Sequence, residues 1–323
     1  MITRTDVLAH LEYGMRKGFL VGNKEYKNLR TGWVRETKSD GAFEVYGDLG
    51  AIPWPAQVGG QAGPGGTDSR TGHPQVSGLH EGGPITVLGG NERGLVVYNQ
   101  DWDIPIGIWH NAINDNRVGG LEEWARSAGV RFQQHMDYLC FAALNGGDAT
   151  TTYGACYDSL SFFNDSHYDK GAEYQTTQDN KYGVVMTLDN FETVRVAASQ
   201  FKDDRGIATG IVHDLIIHSI NLERMAAQIT DNKETYDTTN REMNPYAGKV
   251  NRLTAPGGWV DSTFWAVVCT TLPEKPMMLQ VREGPQLVFW DDHTQGMGVR
   301  YYKWMARYVV TYGDWRLACM GNT

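Results

Sequence analysis

The sequence predicts an α+β protein organised on one long helix and one long terminal strand. Two patterns carry this reading. In residues 121–144, Leu121, Trp124, Ala125, Ala128, Phe132, Met136, Leu139, Cys140 and Ala143 recur at spacings of three and four. That is one face of an α-helix, and Glu122, Glu123, Arg126, Arg131, Gln133, Gln134 and Asp137 fill the other. In residues 299–312, Tyr302, Trp304, Ala306, Tyr308, Val310 and Tyr312 alternate with Tyr301, Lys303, Met305, Arg307, Val309 and Thr311, the period of a strand. The helix spans about 36 Å and the strand about 45 Å, so each is long enough to cover the other. Leu121, Trp124, Phe132 and Leu139 are the expected core contacts of the helix, with Trp124 and Leu139 facing the terminal strands. Gly119-Gly120 precedes the pattern, and Asn145-Gly146-Gly147 supplies left-handed-tolerant residues just past it.

Composition narrows the function. A chain of 323 residues with 41% hydrophobic and 21% charged residues folds around a real core. Its formal charge of −9 argues against nucleic-acid binding driven by phosphate neutralisation, though not against a container that holds nucleic acid without gripping it. Cys140, Cys156, Cys269 and Cys319 have no paired spacing, so no metal site is expected, and Cys140 reads as a core thiol. The first twenty residues lack an apolar leader and no run approaches membrane-spanning length; the expectation is a protein made and kept in a cytoplasm.

Residues 1–45 read as an arm. Val7, Leu8, Leu11, Met15 and Phe19 form a short helical stripe, with Thr5 or Asp6 as its cap. Lys24, Lys27, Arg30, Arg35 and Lys38 follow, interleaved with Tyr26 and Trp33. Two readings stay open for them, a partner-binding or DNA-facing arm and a solvated surface segment. Residues 46–104 are dense in glycine and broken by Pro53, Pro55, Pro64, Pro74 and Pro84, with strand-like pieces at 85–88 and 95–98. A long structureless loop inside a compact domain is unusual. The flanking pieces favour a projecting hairpin that another subunit supports over an interdomain linker. No phosphate-loop motif occurs among the glycines.

After the long helix, Asp158, Asn164, Asp165, Ser166 and His167 could be a metal or general-base cluster, but turn chemistry explains Asn-Asp-Ser equally well. Thr187 is placed to cap a helix carrying Leu188, Phe191, Val194, Ala198 and Phe201, and Asn221 a helix with Leu222, Met225 and Ile229. Between them Leu215, Ile216 and Ile217 read as a buried strand, flanked by His213 and His218 on opposite faces. Residues 264–269 are the next buried strand. Asp291, Asp292 and His293 read as a turn before Gly296 and Gly298. No nucleophile elbow, metal-ligand set, dinucleotide fingerprint or kinase set appears, which speaks for a protein that is not an enzyme and needs no cofactor.

The order of these parts is similar to that in the Mu-like prophage major head subunit family. The residues that carry the resemblance are Tyr46-Gly47-Asp48-Leu49-Gly50, the helix of 121–144, and Tyr157-Asp158 through Phe162-Phe163-Asn164 to His167. Asp214-Leu215-Ile216-Ile217, Asn244-Pro245 and the strand ending Tyr312-Gly313-Asp314-Trp315-Arg316 complete it. The resemblance implies the Hong Kong 97-type phage capsid fold. Its parts would be an N-terminal arm (1–45), an extended loop (46–104), a peripheral domain with a long spine helix (105–185 and 286–323) and an axial α/β domain (186–285). It implies a major capsid protein whose hexamers and pentamers close into an icosahedral shell around double-stranded DNA, without sequence-specific binding. Trp33, Trp54, Arg70, His80 and Arg93 would then be subunit-interface residues of the arm and loop. No long charged, coiled-coil-like segment of the kind some relatives use as a built-in scaffold is present, so a separate scaffold protein is expected. A portal and cement proteins would be the other partners. The shell would be a virion component, assembled in the bacterial cytoplasm. The alternatives are an encapsulin-like bacterial nanocompartment and, in another class, a hydrolase using His167 or His293. Some capsids of this fold join an extended-loop lysine to a neighbour's asparagine, yet this chain has no lysine between Lys38 and Lys170.

Overall fold

The computed structural model describes residues 4–48, 93–114, 120–151, 153–168, 176–203, 206–234, 243–292 and 298–322. The long helix is α3, Leu121–Asn145, entered through Gly120 at φ 95° and closed at Gly146, whose N–H bonds to the Ala142 carbonyl at 2.9 Å. Ala125, Ala128, Phe132, Met136, Leu139, Cys140 and Ala143 are buried, as the spacing requires. Leu121 is half-buried at the start of the same stripe. Trp124 corrects the expectation: it is 42% exposed. One residue step turns the helix by about 100°, which puts Trp124 on the rim of a stripe centred on Ala125, Phe132 and Met136. Its ring still meets Trp304, with centroids 5.3 Å apart.

Gln133 and Asp137 belong to the face expected to be polar and solvated, yet both are buried. The cause is a second helix. Helix α1, Arg4–Glu25, lies along α3 with Met15 and Phe19 inside, the Phe19 ring edge-on to Phe132 at 6.0 Å. The two backbones touch. A Cβ on Gly18 would run into the Glu122 carbonyl, one on Gly22 into the Arg126 carbonyl, and one on Gly129 into the Phe19 carbonyl. Gly14, Gly18 and Gly22, four residues apart, form a groove along α1 into which α3 settles. The opening residues of the expected arm therefore form part of the subunit core.

Two sheets share the remaining chain. In the first, the order is β1-β8-β9-β4. Strand β1, Val34–Lys38, is parallel to β8, Met277–Asp292; β9, Val299–Tyr312, is antiparallel to both β8 and β4, Asp101–Trp109. The predicted alternation holds along β9 as far as Tyr308, with Tyr302, Trp304, Ala306, Tyr308, Val310 and Tyr312 all buried; beyond it Val309 and Thr311 are buried too, so the end of the strand is covered on both faces. Register shifts in β8 fall between Val281 and Glu283 and between Glu283 and Gln286, around Pro285, which cannot donate to a ladder.

The second sheet has the order β10-β7-β5-β6, built from β5 (Leu215–Ser219), β6 (Asn251–Ala255), β7 (Trp265–Val268) and β10 (Ala318–Met320). Helix α4, Leu188–Ala198, starts at Thr187, whose side chain accepts from the Asn190 N–H as predicted. Asn221 is not a cap. Ser219 accepts from the Asn221 N–H to open a short 3₁₀ turn, and α5, Glu223–Thr230, begins after it. Asn244 closes α5 instead, its amide donating to the Gln228, Ile229 and Asn232 carbonyls. The chain's end also differs from expectation. Strand β10 is hydrogen-bonded to β7, so residues 318–320 belong to the second sheet, and β8 runs unbroken through the expected boundary at 285.

The glycine groove gives a prediction with opposite signs at neighbouring positions. Alanine is normally worth about 1 kcal/mol over glycine inside a helix. Gly14 has room for a Cβ, the nearest atom being 3.9 Å away, so Gly14→Ala should raise the urea midpoint. Gly22→Ala should lower it, at a cost of about 1–3 kcal/mol in stability, because the helices must separate. If Gly22→Ala were as stabilising as Gly14→Ala, the backbone contact would be wrong.

Candidate assembly interface

Strand β2, Phe43–Asp48, pairs antiparallel with β3, Arg93–Tyr98, in the register Phe43↔Tyr98 and Val45↔Val96. These strands are the stem of the expected hairpin. The pleat puts Glu44, Tyr46, Leu95 and Val97 on one side and Phe43, Val45, Val96 and Tyr98 on the other. The first side rests on the subunit. Val97 is buried, and the Tyr46 hydroxyl donates to Gln280 Oε1 at 2.8 Å and lies 3.0 Å from Thr37 Oγ1. The second side is bare: Val45 is 59% and Tyr98 67% exposed, with Phe43 and Val96 close behind. The Phe43 and Tyr98 rings meet across the strands in a tilted contact at 5.6 Å. A two-stranded ribbon with apolar residues on both faces is stable only when both are covered.

A second apolar surface lies on the outer side of the first sheet. Inward-facing Ile104, Ile106, Ile108, Leu287 and Phe289 pack on the core, while Trp109, Val288 and Trp290 point outward and are exposed. Trp290 stacks on Tyr301 at 5.3 Å. Further along, Lys303 pairs with Asp103 and Arg307 with Asp101, so this face is apolar at one end and charged at the other.

The expected interface residues divide. Trp33 is a correction: it is fully buried in its own subunit, donating Nε1–H to the Leu29 carbonyl and packing on Phe141 at 5.2 Å, so no neighbour can reach it. Arg30, in the basic run, is buried too. Its Nη1 donates to Asp137 Oδ1 and its Nη2 to Gln133 Oε1, both at 2.8 Å, while Asp137 Oδ2 accepts from the Leu29 N–H. This cluster ties the segment after α1 to α3, which explains the two buried polar residues of the spine. Trp54, Arg70, His80 and residues 85–88 lie outside the described residues, and of Arg93 only its backbone place at the start of β3 is described. The exposed stem residues were missed. The signal was present, because Leu95-Val96-Val97-Tyr98 is apolar at every position rather than at alternate ones.

The hydrolase alternative rested on His167 and His293. His167 is fully buried, its Nδ1 2.5 Å from Asp158 Oδ2 and its Nε2 3.1 Å from the Phe162 carbonyl. Its ring stacks on Trp315 at 4.2 Å and 3°. Both nitrogens are engaged and neither faces solvent, so the pair clamps the 158–167 loop to the chain's end. His293 lies outside the described residues. Among the described residues there is no group of three His, Cys, Asp or Glu able to hold a metal ion, and no helix long and apolar enough to cross a membrane. All four cysteines are buried free thiols.

Comparison with known proteins agrees with this architecture. Residues 86–185, just under a third of the chain, match the family described as Mu-like prophage major head subunit gpT. No curated protein matches the sequence. Among solved structures, the procapsid of bacteriophage JBD30 is 18% identical, with a TM-score of 0.50 over 98% of this chain and 75% of that one. Mycobacterium phage Bobi is 14% identical, with 0.52 over 92% and 89%. A virus-like particle from Pyrococcus furiosus is 9% identical, with 0.51 over 96% and 98%. The chain has the Hong Kong 97-type capsid fold, and the resemblance read from the sequence is borne out.

Buried histidines set how this frame responds to acid. Burial pushes His213 down to about 4, helped by Arg195 and opposed by Asp214. Burial lowers His135 and His218 as well. An unfolded chain binds these protons near pH 6.5 and the folded chain refuses them until lower pH, so stability falls as pH drops from about 6.5 towards about 4. His213 alone accounts for roughly 3 kcal/mol at full extent. His213→Leu should flatten the fall of the urea midpoint across that window. A variant with the parent's pH slope would remove His213 from the account.

Proposed function

We propose that this chain is the major capsid protein of a tailed phage or prophage, assembling as hexamers and pentamers into an icosahedral shell around double-stranded DNA. The β2–β3 ribbon carries this reading. One of its faces is fixed to its own subunit and the other is bare and apolar, at the root of the glycine-rich residues 49–92. Exposed Tyr98, Trp109 and Trp290 supply large, rigid contact surfaces for such an assembly. A chain of net charge −9 encloses DNA without pinning it, which suits a shell that must release its contents. A separate scaffold and a portal complete the partner set, with or without cement proteins, and the shell is assembled in the bacterial host cytoplasm. A nanocompartment shell would use the same fold. The family match over residues 86–185 favours the phage head.

The ribbon supplies the test. Val45→Glu combined with Val96→Glu places carboxylates on the bare face only, so the purified subunit should keep its melting temperature. Electron micrographs should nevertheless show no closed shells. Normal particles from the double variant would mean that the ribbon is not an intersubunit element.

Covalent cross-linking gives a second expectation. An isopeptide bond of the lysine–asparagine kind needs a deprotonated amine on the hairpin. The stretch between Lys38 and Lys170 contains none, and Arg70 and Arg93 stay protonated. Mature particles boiled in detergent under reducing conditions should release one band near 36.0 kDa. A ladder of oligomers would contradict a shell held by non-covalent burial.

A further inference from the structure

Helix α1 presents two faces to two environments. Met15, Gly18, Phe19 and Gly22 turn inward and are buried against α3. On the opposite side Tyr13, Arg16, Lys17, Leu20, Val21 and Lys24 recur at helical spacing along one stripe of about 16 Å. All six are exposed, Tyr13 by 67% and Leu20 by 57%, and together they line a shallow groove of about 340 Å³. No carboxylate lines this groove. Arg16, Lys17 and Lys24 make no ion pair among the described residues, whereas Glu12 pairs with Arg300 and Glu25 with Arg126. Three cations without a carboxylate partner among the described residues, interleaved with three exposed apolar side chains, stand out in a chain of net charge −9.

We propose that this stripe is a docking surface for an acidic amphipathic helix of a second protein. Tyr13, Leu20 and Val21 would cover the apolar face of the incoming helix, and Arg16, Lys17 and Lys24 would meet carboxylates on its flanks. Rows at three- and four-residue spacing fit the grooves of another helix, and opposite charge sets orientation and encounter rate. Pairing with the same stripe of a second copy would oppose cation to cation, which disfavours that occupant. Duplex DNA would use the cations but leave Tyr13, Leu20 and Val21 in water. The stripe shares no residue with the ribbon or the outer sheet face, so it goes beyond the shell reading and is tested without assembly.

The measurement is fluorescence anisotropy on the purified, unassembled subunit with three labelled probes. One is a helical peptide of about five turns with leucines on one face and glutamates flanking them. The second replaces each glutamate by lysine, and the third is a short DNA duplex. The glutamate peptide should bind at least about tenfold more tightly than the lysine peptide and weaken in high salt. Lys17→Glu and Leu20→Glu should each reduce that binding about tenfold, with unchanged melting curves because both side chains are exposed. Should either variant misfold, Tyr13→Ser gives the same readout. Equal binding of the two peptides, or parental binding by the variants, overturns the proposal. So does binding of DNA alone that is lost in Lys17→Glu and kept in Leu20→Glu, which would identify a phosphate site.

Discussion

The structure depends on covering the apolar stripe of α3 along its whole length. A 25-residue helix with buried Phe132, Met136, Leu139 and Cys140 is stable in water only if elements of comparable length lie against it. Two do. Helix α1 approaches until glycines are the only residues that fit between the backbones. Strand β9 places Tyr302, Trp304, Tyr308 and Tyr312 underneath, the last donating its hydroxyl to the Ala143 carbonyl at 3.0 Å. Because α1, α3 and β9 come from the beginning, middle and end of the chain, the subunit closes only when nearly all of it is in place.

That demand for length also leaves surface uncovered. Strands β8 and β9 turn only one side towards the helices, exposing Val288 and Trp290 on the other, and the β2–β3 ribbon keeps one apolar face in water. A monomeric protein rarely keeps such patches. The frame that stabilises the subunit thus also leaves the surfaces that, in the proposed shell, a neighbour completes.

How much of this was legible in the sequence follows from how local each feature is. Residues 121–144 and 299–312 were readable because long amphipathic periods survive any tertiary context, and β9 has the predicted bounds. Thr187 as a cap was readable because capping is decided within three residues. The fate of Arg30, Trp33, Gln133 and Asp137 was not, since charges on a helix face read as solvated until a distant segment supplies the partner. The glycine spacing at 14, 18 and 22 was visible, but its meaning required knowing that Gly129 lies opposite. Strand β10 could not be placed, because three apolar residues carry no indication of which sheet they join. Of the ribbon, the strand at 95–98 was located, while its partner at 43–48 straddles the expected arm boundary and the bare face went unnoticed.

Electron cryomicroscopy of the purified protein at micromolar concentration tests the central claim most directly. Closed shells with rings of five and six subunits are predicted, in which Phe43, Val45, Val96 and Tyr98 of each copy lie against a neighbour. Isolated subunits at that concentration, or shells in which those four side chains remain in solvent, would contradict it.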